Sequence, residues 1–136
     1  MTEVRPARAD DLAAMIAADE FAHTHPERAN EIAGWLQAGA AVVAERGGSI
    51  VGYAVLTRSF FHRPFIEMLT VASEVRRGGI GGRLIAHLVA HAGAEVWTST
   101  NRSNLPMREL LLRAGFTESG FIEGLDPGDP ELVFRR

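Results

Sequence analysis

Between Val75 and Leu84 the chain reads VRRGGIGGRL, with Gly78, Gly79, Gly81 and Gly82 set among Arg76, Arg77 and Arg83. That combination has the chemistry of an anion seat. Glycine lets main chain approach a ligand because no Cβ intervenes. Where such a stretch opens a helix, the first N–H groups lack intrahelical partners and point a partial positive charge outward. Free amides plus guanidinium groups suit a diphosphate. The plain alternative is a solvated glycine-rich turn. Two other nucleotide loops are excluded. A Walker-type phosphate loop needs a lysine, and all fourteen basic residues here are arginine. A dinucleotide fingerprint needs glycine where Leu84 stands and an acidic residue about twenty positions on.

The loop needs a strand before it and a helix after it, and both can be read. FIEMLTVA precedes it as an apolar strand, and Ile80, Leu84, Ile85, Leu88 and Val89 follow on one helical face. Upstream, Glu3 to Arg5 predicts a short strand ended by Pro6. Asp10 or Asp11 can cap a helix with Leu12, Met15 and Ile16 inward. Pro26 suits the first turn of a second helix that buries Ile32, Trp35 and Leu36 and stops at Gly39. AAVVAERGGSIVGYAVLTR reads as a hairpin turning at Gly47-Gly48. Downstream, Glu95 to Thr100 predicts a strand, and Asn101 to Asn104 supply caps for a helix with Pro106 in its first turn. Met107, Leu110 and Leu111 face inward there, and Gly115 ends it. Two short strands around LDPGDP finish the chain. The order β-α-α-β-β-β-α-β-α-β-β is an α/β fold with a mixed, mostly antiparallel sheet flanked by helices. At 136 residues, one domain over 1–136 is expected.

Composition narrows the function classes. There is no cysteine, hence no disulfide and no thiolate metal site. Without lysine there is no Schiff base. A net charge of −3 argues against a general nucleic-acid binder. No apolar run approaches the roughly 20 residues of a membrane span, and MTEVRPARADDL lacks the order of a secretory signal. A cytoplasmic protein with no membrane or nucleic-acid partner and no metal is expected.

Val71, Glu74, Arg76, Gly79 and Gly81 match the pattern Val-x-x-Glu-x-Arg/Gln-x-x-Gly-x-Gly/Ala, with Leu84 after it. This closely resembles motif A of the GCN5-related N-acetyltransferases, the GNAT family. A second signature, Asn104 then an apolar helix then Gly115-Phe116, stands at the family's spacing. The resemblance extends over nearly the whole chain and implies an N-acetyltransferase using acetyl-coenzyme A. It implies that the strand before the loop splays from its neighbour to admit the cofactor. Leu69, Thr70 and Val71 would run beside the pantetheine arm, with main-chain groups of Leu69 and Val71 pairing to it. The amides of Arg76, Arg77, Gly78, Gly79, Ile80, Gly81 and Gly82 would hold the pyrophosphate. Asn104 would contact the cofactor, act as an N-cap, or do both.

The implied reaction is attack of a small-molecule or peptide amine on the thioester. An amine with a pKa near 10 is mostly protonated at neutral pH, so a base is required. Glu67, the lone carboxylate in its strand, is the candidate, and a β-bulge would aim it. The alternative is a solvated glutamate or one paired with Arg58 or Arg63. His62 is a second candidate, against a plain surface histidine. Phe60, Phe61 and Phe65 line an acceptor pocket or belong to the core.

Two departures from the family stand out. Leu111 occupies the position where many relatives carry a tyrosine acid, and Ser99 that where ribosomal-protein alanine acetyltransferases carry a glutamate. Tyr53, the only tyrosine, has no matching role. Thr98, Ser99 and Ser103 are hydroxyls close in sequence, each with an alternative as a cap or strand residue. The acidic residues Glu118, Glu123, Asp126, Asp129 and Glu131 attract a cationic amine or form a solvated turn. A non-catalytic acyl-coenzyme A module and a toxin-type enzyme acting on aminoacyl-tRNA are the competing readings. The family often forms homodimers, which the sequence leaves open.

Overall fold

The computed structural model describes residues 1–76 and 78–136. Among these described residues seven strands run β1 (Thr2–Pro6), β2 (Ala41–Arg46), β3 (Ser49–Phe60), β4 (Arg63–Val71), β5 (Trp97–Asn101), β6 (Thr117–Ile122) and β7 (Glu131–Arg135). Four α-helices are α1 (Leu12–Ala18), α2 (Glu27–Gln37), α3 (Ile80–Ala92) and α4 (Leu105–Arg113). Their succession is the one the sequence implies. The sheet order is β1-β2-β3-β4-β5-β7-β6. Every pair is antiparallel except β4 with β5.

Alternation along the strands gives the sheet two buried faces. On one, Ala54 and Ile66 meet Ile80, Leu84, Ile85 and Leu88 of α3 and Leu111 of α4. On the other, Val43, Tyr53 and Val55 meet Met15 of α1 and Ile32 of α2. This second face holds a buried polar group. Asp19, 1% exposed, accepts from Tyr53 Oη at 2.5 Å and from Arg28 Nη1 at 3.0 Å. It also accepts from the Ala22 N–H at 3.3 Å, so it caps the 3-10 turn Glu20–His23 that links α1 to α2. Burial, then the bond to Asp19, pushes the Tyr53 hydroxyl well above its ordinary value.

One local expectation needs correction, and one turn lies outside any expectation. Asp11 does not cap α1 through its side chain. Its carboxylate accepts from Arg5 at 2.9 and 3.1 Å and from the Arg8 N–H at 2.7 Å, tying α1 back to β1. The bonds from Arg5 hold it below the usual carboxylate range. The second finding is a β3–β4 hairpin that turns on Phe61 and His62, both at positive φ (53° and 63°) without being glycine. Gly47 and Gly48 make the β2–β3 turn at φ 58° and 80°, as anticipated.

Candidate active site

Among the described residues β4 and β5 pair at two positions, Phe65 beside Trp97 and Ile66 beside Thr98. Beyond them β4 stays paired to β3 as far as Val71, while β5 stays paired to β7 as far as Asn101. The two central strands therefore part into a V whose apex is pinned by Thr98 Oγ1, donating to the Ile66 carbonyl at 2.9 Å. A β-bulge sits at the parting. Met68 opposes Val55 and Ile66 opposes Leu56, leaving Glu67 as the unmatched residue. Ile66 thus packs on the α3 side and Met68 on the α1 side, although they are two residues apart.

Main-chain direction beyond the bulge follows from one bond. The Ala72 N–H donates to Val51 C=O at 2.8 Å, so Ala72 and Thr70 turn towards β3. Leu69 and Val71 then turn their N–H and C=O into the V. Thr70, opposite Tyr53, spends its main chain on β3 and offers none to the gap. Val71 C=O already accepts from Arg76 Nε at 3.1 Å. Arg76 therefore folds back on the strand.

At the open end of the V lies the start of α3. Gly79 adopts φ 80° at the N-cap, and the bond from Arg83 N–H to Gly79 C=O, 3.2 Å, is where helical pairing begins. The amides of Ile80, Gly81 and Gly82 precede that bond and have no partner within the helix. The Ile80 side chain is buried at 1% exposure and anchors this turn to the core. Gly78 and Arg83 are exposed. Arg77 lies outside the described residues. Gly81 has a packing role of its own: a Cβ there would stand 2.9 Å from Leu110 Cδ2 of α4. Unpaired strand edge and free amides together fit an extended amide-bearing arm ending in a diphosphate.

Asn104 is the N-cap of α4, its Oδ1 accepting from the Met107 N–H at 3.3 Å. The turn before it is bound to the β6–β7 loop. Asp129 accepts from the Ser103 N–H at 3.0 Å and Oγ at 2.6 Å, and Asp126 accepts from Asn101 Nδ2 at 2.9 Å. These two carboxylates brace the β5–α4 turn; they are not a free solvated run. Glu131 departs from that expectation too. It opens β7, is half-buried, and accepts from Ser99 Oγ at 2.7 Å.

Glu67 is exposed at the mouth of the V. The ion pairs considered for it do not form. Arg63 bonds Glu95, and Arg58 Nη2 donates to the His62 carbonyl at 2.9 Å. His62 sits at the hairpin tip, five extended residues from Glu67, or about 16 Å along the strand. The structure does not bring the two together. Phe60 stacks on Phe65 at 4.9 Å and leans on Trp97 at 5.7 Å, below the apex of the V, while Phe61 is 79% exposed at the tip. Leu111 is fully buried in the α3-side core. Sequence reasoning missed the Ser99–Glu131 and Tyr53–Asp19 contacts, which span 32 and 34 residues.

Among the described residues no helix is long and apolar enough to cross a membrane. A family model described as the acetyltransferase (GNAT) family matches residues 10–116. Among solved structures, a GNAT-family acetyltransferase from Bacillus cereus superposes with a TM-score of 0.94 at 31% identity, covering 100% of this chain and 96% of that one. A ribosomal-protein-alanine N-acetyltransferase from Brucella melitensis gives 0.78 at 25% identity, covering 98% of each chain. The acetyltransferase yncA from Salmonella typhimurium, solved with acetyl-CoA, shares the fold at 0.81 and 18% identity, covering 99% of this chain and 92% of that one. A search of curated proteins gave no match.

Proposed function

Because this chain belongs to the acetyltransferase (GNAT) family, we propose that it transfers an acetyl group from acetyl-CoA to a primary amine on a small molecule or peptide at the β4–β5 opening. The observation that carries the reading is the V itself, with unpaired main chain of β4 on one wall and the α3 amides at its open end. Bound acetyl-CoA supplies an electrophilic thioester carbonyl. Leu69 and the Val71 N–H align the amide arm, while the amides of Ile80, Gly81 and Gly82 meet the diphosphate. Asn104 keeps its Oδ1 on the helix cap and offers its Nδ2 to the arm.

Glu67 removes a proton from the incoming ammonium, which is otherwise mostly charged at neutral pH. It stands at the bulge, next to the last rung that joins the two strands. Tyr53 takes no part, because its hydroxyl is buried on Asp19 and held protonated. The test is calorimetric titration with acetyl-CoA, followed by thiol release with benzylamine, spermidine and alanylglycinamide. Tight binding with turnover of one amine supports the reading. Binding without turnover of any amine would remove the catalytic half, and no binding would remove both.

A further inference from the structure

We infer that Ser99 and Glu131 form a proton shuttle across the V from Glu67, with Ser99 meeting the reacting groups and Glu131 positioning and charging it. This rests on the acyl-transfer reading above. Ser99 is the first β5 residue past the last β4–β5 rung, as Glu67 is the first in β4, so the two border the same opening.

The face is also right. Val96, Leu132 and Phe134 pack on the α3 side, and Thr98 and Thr100 alternate with Ser99. Ser99 and Glu131 therefore share the opposite face with Trp97, the α1 side on which Met68 lies. Of the other nearby hydroxyls, Thr98 is spent on the Ile66 carbonyl, Ser103 on Asp129 beyond the strand end, and Thr100 is buried on the α3 side opposite Leu132. Ser99 alone joins a carboxylate within the opening, donating to Glu131 Oε2 at 2.7 Å. A hydroxyl that donates in this way still has lone pairs with which to accept.

The step balances as follows. After Glu67 has taken the first proton, the nitrogen–carbon bond forms and the nitrogen's second proton passes to Ser99 Oγ. Ser99's own proton moves onto Glu131. As the carbon–sulfur bond breaks, that proton returns through Ser99 to the departing sulfur, and Glu131 ends as it began. A shuttle of this kind supplies the acid that Leu111 cannot.

The experiment compares Glu131→Gln, Ser99→Ala and Ser99→Thr with wild type, measuring thiol release from the same three amines. Gln still accepts a hydrogen bond from Ser99 but holds no proton. Expected for Glu131→Gln and Ser99→Ala is a fall in kcat of about 100-fold at neutral pH, within the range for proton-transfer catalysis. Their calorimetric Kd for acetyl-CoA stays unchanged, the deficit shrinks at alkaline pH where the thiolate leaves unaided, and Ser99→Thr retains most activity. An active wild type whose Glu131→Gln variant keeps kcat and pH profile overturns the shuttle alone. A deficit equal at every pH and not rescued by Ser99→Thr overturns it too, since that marks a structural role. Wild type that binds acetyl-CoA but turns over none of the amines removes the reading beneath it.

Discussion

The two motif glycines that flank Ile80 do different work, and the difference can be measured. Gly79 has open space where a Cβ would stand, but its φ is 80°. An alanine there must hold a left-handed conformation at about 1–2 kcal/mol. If the loop keeps its shape, that cost lowers stability, at about 3–5 °C per kcal/mol for a chain of this size. If the loop relaxes instead, binding must restore it, and acetyl-CoA affinity falls by about 5- to 30-fold. The sum of the two effects is fixed at 1–2 kcal/mol, roughly, whichever way it divides. Gly81 lies inside α3 at ordinary φ, and its added Cβ would press on Leu110 Cδ2 at 2.9 Å. Comfortable carbon contacts begin near 3.5 Å, roughly. Leu110 borders a groove of about 490 Å³, lined also by Gly82, Ile85 and Ala86, so its tip has room to turn. Overpacking therefore costs about 1 kcal/mol, the low end for such insertions, and helix propensity returns about 1 kcal/mol. Gly81→Ala should be nearly neutral alone and stabilising by about 1 kcal/mol in a Leu110→Val background, where the contact is gone. Thermal unfolding and calorimetric titration of the four variants separate these outcomes. Gly81→Ala weakening acetyl-CoA as much as Gly79→Ala, with no relief from Leu110→Val, would refute the assignment of Gly81 to helix packing.

Two further perturbations probe the frame. Tyr53→Phe removes the 2.5 Å donor from the buried Asp19 carboxylate while Arg28 stays in place. A loss of about 1.5–3 kcal/mol in denaturant unfolding with an unchanged m value is expected, and a loss below about 0.5 kcal/mol would show that the bond is not holding Asp19. His87 on α3 has a buried Nε2 without a partner among the described residues, and burial, then the neighbouring His91, lowers its pKa. The unfolded chain therefore takes up a proton first as pH falls, so stability drops below about pH 6.5. His87→Leu should flatten the stability profile between about pH 7.5 and 5.5, and coincident profiles for variant and wild type would contradict that.

Local chemistry was legible wherever one short segment held the whole cause. The α3 stripe of Ile80, Leu84, Ile85 and Leu88 is buried as its spacing dictates. Gly47-Gly48 turns where its freedom allows. Phe61-His62 makes the same kind of turn without such residues, so turn chemistry gives no warning. Phe60 meets Phe61 edge-on, stacks on Phe65 and leans on Trp97 in that conformation, and the contacts to Phe65 and Trp97 exist only once β3, β4 and β5 are assembled. The turn that opens α3 could be read from its glycines, whereas the fold-back of Arg76 onto Val71 could not. Glu131 was hidden by its neighbours. LDPGDP is dense in turn residues, and the strand begins immediately after Pro130. Asp19 and Tyr53 carry no local signal at all, because each is ordinary until the other is packed against it.

One inserted residue unites the parts of this site. β4 follows β3 through its whole upper half, so nothing in its pairing there forces it away from β5. The unmatched Glu67 changes the phase of the strand, keeping Ile66 on the α3 side and sending Met68 to the α1 side. Bulges also add local twist. The β4–β5 ladder ends at the rung beside it, and from that point Leu69 and the Val71 N–H face the gap without a strand partner, while the Val71 C=O is taken by Arg76. The same insertion leaves a carboxylate where the strands part, with Ser99 and Glu131 on the other bank. Opening the sheet, exposing a polar edge and placing a carboxylate at the parting are thus one structural event. Its cause is a register shift at a single position, which explains why an α/β sheet with an otherwise continuous core can hold an open cleft at its centre.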